Sequence, residues 1–123
     1  MKIAITAKEN NIESDVDPRF GRCSYFLIVD TENMKFEPIS NESAMSQGGA
    51  GIRAAQNIAK TGVKIVITGN MGPNAYQTLS AAGIKVYIGA NGTIKEAIEK
   101  FNKGELKETE NANVGSHSGM RGM

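Results

Sequence analysis

Cysteine is almost missing from this chain: Cys23 stands alone, and a single cysteine forms no intramolecular disulfide. Nor can it supply the Cys-rich spacing of a structural zinc site or of a four-thiolate iron–sulfur cluster. Histidine is as scarce. His117 is the only one, so no Ser-His-Asp or Cys-His pairing stands out as nucleophilic machinery. An excess of either charge is also lacking, because 14 Lys and Arg face 13 Asp and Glu, and a net charge of +1 gives no grip on a polyanion. Nucleic acid is therefore not an expected partner. No stretch approaches the roughly 20 apolar residues of a membrane span, and MKIAITAKEN returns to charge too soon to hold a signal-peptide core. These absences lead to the expectation of a soluble, untargeted protein of the reducing cytoplasm.

What is present fits one domain, since 123 residues can bury a single aliphatic core but not two comfortable ones. Ile3–Ala7 is a β-type run that begins almost at the first residue and reads as a central strand. Lys8–Arg22 follows as a long polar loop, a kind of segment that often carries function. Tyr25–Val29 is a second strand and Lys35–Ile39 a third, placed at a sheet edge because Pro38 lacks an amide donor. Gln47–Gly51 is a glycine-rich entry to a helix reaching about Lys60. Val63–Thr68 is then a fourth strand, and Gly72-Pro73 opens a helix that Gly83 closes. Ile84–Ile88 is a fifth strand, and the Thr93-x-x-Glu96 capping box precedes a final helix.

The order β-β-β-α-β-α-β-α predicts an α/β domain over residues 1–103, an antiparallel meander followed by right-handed crossovers. The expected fold is ribonuclease H-like. Its five-stranded mixed sheet runs 3-2-1-4-5 with strand 2 antiparallel, and three helices cover it. Residues 104–123, rich in Gly, Asn, Ser, Glu and Lys without apolar periodicity, read as a flexible C-terminal tail. In this topology the Lys8–Arg22 loop, the Gln47–Gly51 entry and the Thr68–Gly72 turn all emerge at one edge.

The segment Val16-Asp17-Pro18-Arg19-Phe20-Gly21-Arg22-Cys23 resembles the signature of the dinitrogenase iron–molybdenum cofactor biosynthesis family, which includes NifX-type carriers and the C-terminal domain of NifB. The likeness continues through Ser24-Tyr25-Phe26, the glycines at 48, 49 and 51, Thr68-Gly69-Asn70-Met71-Gly72 and Gly83-Ile84-Lys85-Val86-Tyr87. It covers Met1 to about Leu106. The resemblance implies a ribonuclease H-like fold and the binding or transfer of iron–sulfur precursors of the cofactor. Nitrogenase-linked members often have His where this chain has Arg19. Arginine stays protonated and cannot ligate a metal, although its fork of donors suits the outer surface of an anion.

Candidate site residues follow from both lines. Arg19 and Arg22 precede Cys23 closely enough in sequence to favour its thiolate, which makes Cys23 either a metal ligand or, on the blander reading, a small buried hydrophobe. Gly48, Gly49 and Gly51 can offer amides to an anion at a helix N-terminus, or serve only a tight loop and close helix packing. Gly49-Ala50-Gly51-Ile52-Arg53-Ala54 satisfies G-x-G-x-x-A, but the strand before it and the acidic residue about 20 positions on are missing. Gly21, Gly69 and Asn70 complete the expected anion-binding set, and His117 is a second candidate metal ligand. The leading reading is a binding or carrier protein for an anionic iron–sulfur or iron–molybdenum cofactor precursor, handing it to a cluster-accepting protein. The alternatives are a nucleotide- or anion-dependent enzyme, and a protein-interaction module without a metal ligand. A two-metal nuclease is disfavoured, because its ions, about 4 Å apart, need carboxylates on core strands, and the first, fourth and fifth runs have none.

Overall fold

A computed structural model describes residues 1–45 and 48–110. Its strands are β1 (Lys2–Ala7), β2 (Tyr25–Asp30), β3 (Phe36–Ser40), β4 (Ile65–Ile67), β5 (Lys85–Ile88) and β6 (Lys107–Thr109). Its helices are α1 (Ala50–Ala59), α2 (Pro73–Ala81) and α3 (Ile94–Asn102), with a short 3-10 turn at Glu42–Met45. The strands form one mixed sheet in the order β3-β2-β1-β4-β5-β6. β1 runs antiparallel to β2 and parallel to β4, and β5 runs parallel to β4.

The alternation of side chains along each strand divides the core into two layers. Ala4, Phe26, Ile28, Val66 and Val86 face α1 and α2, meeting Ala54, Ala55, Ile58, Ala75 and Leu79. Ile3, Ile5, Leu27, Val29, Ile65 and Ile67 face α3 and meet Ile94, Ala97 and Ile98. Each local signal acts as its chemistry dictates. Pro38 pairs with Leu27 from an edge strand, where its missing donor costs no ladder bond to an outer neighbour. Pro73 occupies the first turn of α2, and Gly83, at φ 78°, supplies the left-handed turn after its last residue. Thr93 and Glu96 form a complete capping box, with Thr93 Oγ1 accepting from the Glu96 amide at 3.1 Å and Glu96 Oε1 accepting from the Thr93 amide at 2.8 Å.

The sheet has six strands, not the expected five. The extra strand, β6, lies within the segment read as tail and pairs antiparallel with β5, Tyr87 opposite Glu108. Lys107-Glu108-Thr109 has no apolar alternation because an edge strand of this kind is held by its backbone ladder. Leu106, packed against the layer that contains Tyr87 and Phe101, fixes its approach. Residues 111–123, including His117, and Gln47 lie outside the described residues.

The Lys8–Arg22 loop is pinned along its length. The Val16 amide donates to Gly92 O at 2.8 Å, the Asp17 amide to Thr6 O at 3.0 Å and the Asn70 amide to Pro18 O at 2.8 Å, while Ser14 O accepts from Ile94 N at 2.9 Å. Two glycines allow its backbone to touch other loops directly. A Cβ at Gly69 would stand 2.7 Å from Pro18 Cα, and one at Gly21 would stand 2.9 Å from both Cα and N of Gly51. A Cβ at Gly51 meets only Ala75 Cβ at 3.4 Å. Gly21→Ala and Gly69→Ala should therefore each lose about 1–3 kcal/mol in denaturant unfolding, the cost of overpacking. Gly51→Ala, inside a helix, should be neutral or slightly stabilising. Equal effects at all three positions would contradict the backbone contacts described.

Candidate functional site

Three parallel strands deliver the chain to one edge, and the pinned loop crosses all three exits. It meets the turn after β4 through the bridge between Arg19 and Asn70, the start of α1 through Gly21, and the start of α3 through the bridge between Asp15 and Thr93. Between the loop and the β4–α2 turn lies a cleft of about 290 Å³ lined by Arg19, Phe20, Asn70, Met71 and Gly72. Phe20 and Met71 belong to the core layer below, so the cleft has an apolar floor and a guanidinium at its mouth. The two helices that begin beside it, α1 at Gly49 and α2 at Gly72, have no side-chain cap, which leaves the positive ends of their dipoles without a carboxylate or hydroxyl of their own.

Arg19 is held by Asp17. The carboxylate accepts from the Arg19 backbone amide at 2.9 Å, from Nε at 3.2 Å and from Nη2 at 3.3 Å. The pair is lopsided: the Arg19 side chain is 65% exposed and that of Asp17 only 3%. The hydrogen bond to Asp17 and its charge both raise the Arg19 pKa further above its already high value.

The sequence profile of the dinitrogenase iron–molybdenum cofactor family matches residues 1–104, which contain the loop, the cleft and both uncapped helices. The chain belongs to this family. A curated relative, an uncharacterized protein of Methanocaldococcus jannaschii, is 37% identical over 113 residues, spanning 89% of this chain and 92% of its own. Among solved structures, the apo form of the orange protein from Desulfovibrio gigas superposes with a TM-score of 0.88 at 41% identity, covering 92% of this chain and 96% of that one. A Thermotoga protein described as a candidate NifB gives 0.76 at 40% identity, with coverage of 87% and 91%.

Within this member of the dinitrogenase cofactor family the sequence-expected residues separate into groups. Arg19 and Asn70 reach the cleft, while Gly21, Gly51 and Gly69 serve close backbone packing around it. Gly48 and Gly49 are exposed at the start of α1, outside the cleft lining. Arg22 is exposed and donates from Nη1 to Ala44 O at 2.7 Å. Phe20, Met71, Gly72 and Asp17 were absent from the expected set. For Asp17 the signal was present: a carboxylate two residues before an arginine can bond that residue's amide and its guanidinium together.

Cys23 has the buried position of the blander of its two readings. It is fully buried, its Sγ 3.3 Å from Phe20 O, and Asn41 Nδ2 lies 3.7 Å from Sγ while donating to Cys23 O at 2.9 Å. Burial, followed by the charge of Asp17, pushes the thiol up from an ordinary 9.0 to about 12. The neighbouring arginine does not offset this, because its charge is already matched by Asp17. A group whose folded pKa is raised lends stability in full below its unfolded value, and loses it as pH rises through the folded value. The window here runs from about pH 9 to pH 12. Wild-type stability should fall across it more steeply than that of Cys23→Ala, measured by urea unfolding, and iodoacetamide should label native Cys23 slowly at pH 8 but rapidly in urea. Equal labelling rates folded and unfolded would show an accessible, ionised thiol.

Proposed function

We propose that this chain is a non-enzymatic carrier of an anionic iron–sulfur or iron–molybdenum cofactor precursor, held without covalent anchorage in the Arg19–Gly72 cleft. The observation that carries this reading is the pairing of a cationic mouth with the lack of a ligand set. Among the described residues no three His, Cys, Asp or Glu side chains group to hold a metal ion, and the one thiol is buried and protonated. What the cleft does offer is a guanidinium and the N-terminus of α2, which suit the acceptor surface of an anion and cannot replace its own ligands. Cargo retained this way leaves readily, which fits delivery to a cluster-accepting protein in the cytoplasm.

Membership of the family supports the class of cargo, and a relative solved in an apo form supports a group that can be removed. We read the sheet as ribonuclease H-like with an added edge strand, and that likeness brings no nuclease chemistry: β1, β4 and β5 carry no carboxylate. Among the described residues no helix is long and apolar enough to cross a membrane.

Incubation with ferrous iron and sulfide followed by desalting should leave a visible chromophore on the wild type. Arg19→Ala should bind about 10- to 100-fold more weakly, the loss expected when a charge-assisted hydrogen bond is removed. Cys23→Ala should stay within about threefold, because a protonated buried thiol is no ligand. Cys23→Ala losing the chromophore would mean that the site opens to expose the thiol. A loss confined to a chain ending at Glu110 would move the metal contact to His117.

A further inference from the structure

The carrier reading requires a guanidinium at the cleft, and it does not explain why the residue beneath that guanidinium is a buried acid. Asp17 is buried behind Arg19, next to a site proposed for an anion, where its negative charge opposes the cargo. The Arg19 amide needs only a neutral acceptor, and asparagine would supply one equally well. The backbone of Asp17 needs no side chain at all: its amide donates to Thr6 O at 3.0 Å and its carbonyl accepts from the Thr6 hydroxyl at 2.7 Å. What only a carboxylate can do here is take two N–H groups of one guanidinium, and it does so with Nε at 3.2 Å and Nη2 at 3.3 Å.

We propose that Asp17 is a positioning residue, a buried carboxylate that β1 fixes through Thr6 and that in turn fixes Arg19 at the cleft before cargo arrives. This rests on the carrier reading. The line of force is continuous. Thr6, the penultimate residue of β1, holds the Asp17 backbone, the 3%-exposed carboxylate grips a 65%-exposed arginine, and Arg19 lines the cleft with Asn70. A long side chain otherwise spends many rotamers on reaching one geometry; clamping it in the empty protein removes that ordering from the binding step. Two effects of Asp17 therefore compete, repulsion of the cargo and preorganisation of Arg19, and the proposal is that preorganisation wins. The raised pKa of Arg19 is the electrostatic trace of the same clamp.

Asp17→Asn tests this, because it keeps the size of the side chain and the oxygen that takes the Arg19 amide and Nε while replacing the Oδ2 that takes Nη2 by a donor. Two readouts are needed. In ligand-free protein, NMR should show the Arg19 Nη2 protons in slow exchange with water for wild type and in fast exchange for Asp17→Asn, with the dispersion of backbone amides unchanged. In binding of a cluster assembled from ferrous iron and sulfide, Asp17→Asn should be about three- to tenfold weaker than wild type, the range for ordering one such side chain. The double variant with Arg19→Ala should be no weaker than Arg19→Ala alone. Unchanged or tighter binding by Asp17→Asn, additive losses in the double variant, or equal Nη2–H protection in both proteins would each overturn the positioning role while leaving the carrier reading standing. A wild type that retains no cluster would overturn both. Should Asp17→Asn fail to fold, Thr6→Val, which releases Asp17 O without touching its carboxylate, must loosen Arg19 Nη2–H or the proposal falls.

Discussion

Everything at this edge of the sheet depends on one hydroxyl. Thr6 Oγ1 donates to Asp17 O at 2.7 Å and lies 2.9 Å from Thr68 Oγ1, in a fully buried position at the end of β1. Through those contacts the ends of two neighbouring parallel strands and the middle of the long loop become one rigid body. Thr68 leads directly into Gly69 and Asn70, and Asp17 into Pro18 and Arg19, so both walls of the cleft start from the same polar knot. An unsatisfied hydroxyl buried at this depth costs about 1–3 kcal/mol, which makes the knot self-enforcing once the sheet closes around it. The loop is fastened again at Gly92 and Ser14, and a segment with that many backbone bonds is a wall of the site rather than a lid over it.

The electrostatics at the cleft follow from burial more than from sequence proximity. Cys23 is close to two arginines, Arg19 and Arg22, only in the sense of chain order. Arg22 turns to Ala44 O, Arg19 is committed to Asp17, and the sulfur is left in a fully buried environment with a carboxylate for its nearest influential charge. Desolvation then dominates, as it does for any acid taken out of water without a cationic partner. The consequence for chemistry is direct: the one thiol within the described residues is buried and its ionisation is opposed.

Much of this was legible from the sequence because it rests on short-range rules. The apolar run of β1, the edge position forced by Pro38, the Pro73 start and Gly83 stop of α2 and the Thr93–Glu96 box each state their own structure locally. Convergence of the loop with the turn after β4 was also readable, since right-handed crossovers leave a strand order of 3-2-1-4-5 few alternatives. β6 was not readable. Its three residues are held by the β5 backbone, and a ladder with an alternating partner pattern on only one side leaves no mark on Lys107-Glu108-Thr109. The glycines left two readings open for a different reason: a glycine that lets an anion approach and one that lets Pro18 or Gly51 approach look the same until the opposing backbone is in place. Asp17 was visible in the motif, but its burial, which turns a common turn-former into the clamp on Arg19, is a property of the assembled sheet.

The central claim is a place: a cargo seated over Phe20 and Met71, with Arg19 and Asn70 at its rim. The most direct measurement is a pair of amide NMR spectra, of the protein alone and of the protein loaded with a cluster assembled from ferrous iron and sulfide. The account predicts that the amides of Arg19, Phe20, Asn70, Met71 and Gly72 shift or broaden most, with β3 and β6 at the sheet edges unmoved. Perturbation centred on either edge strand, with those amides unchanged, would contradict it.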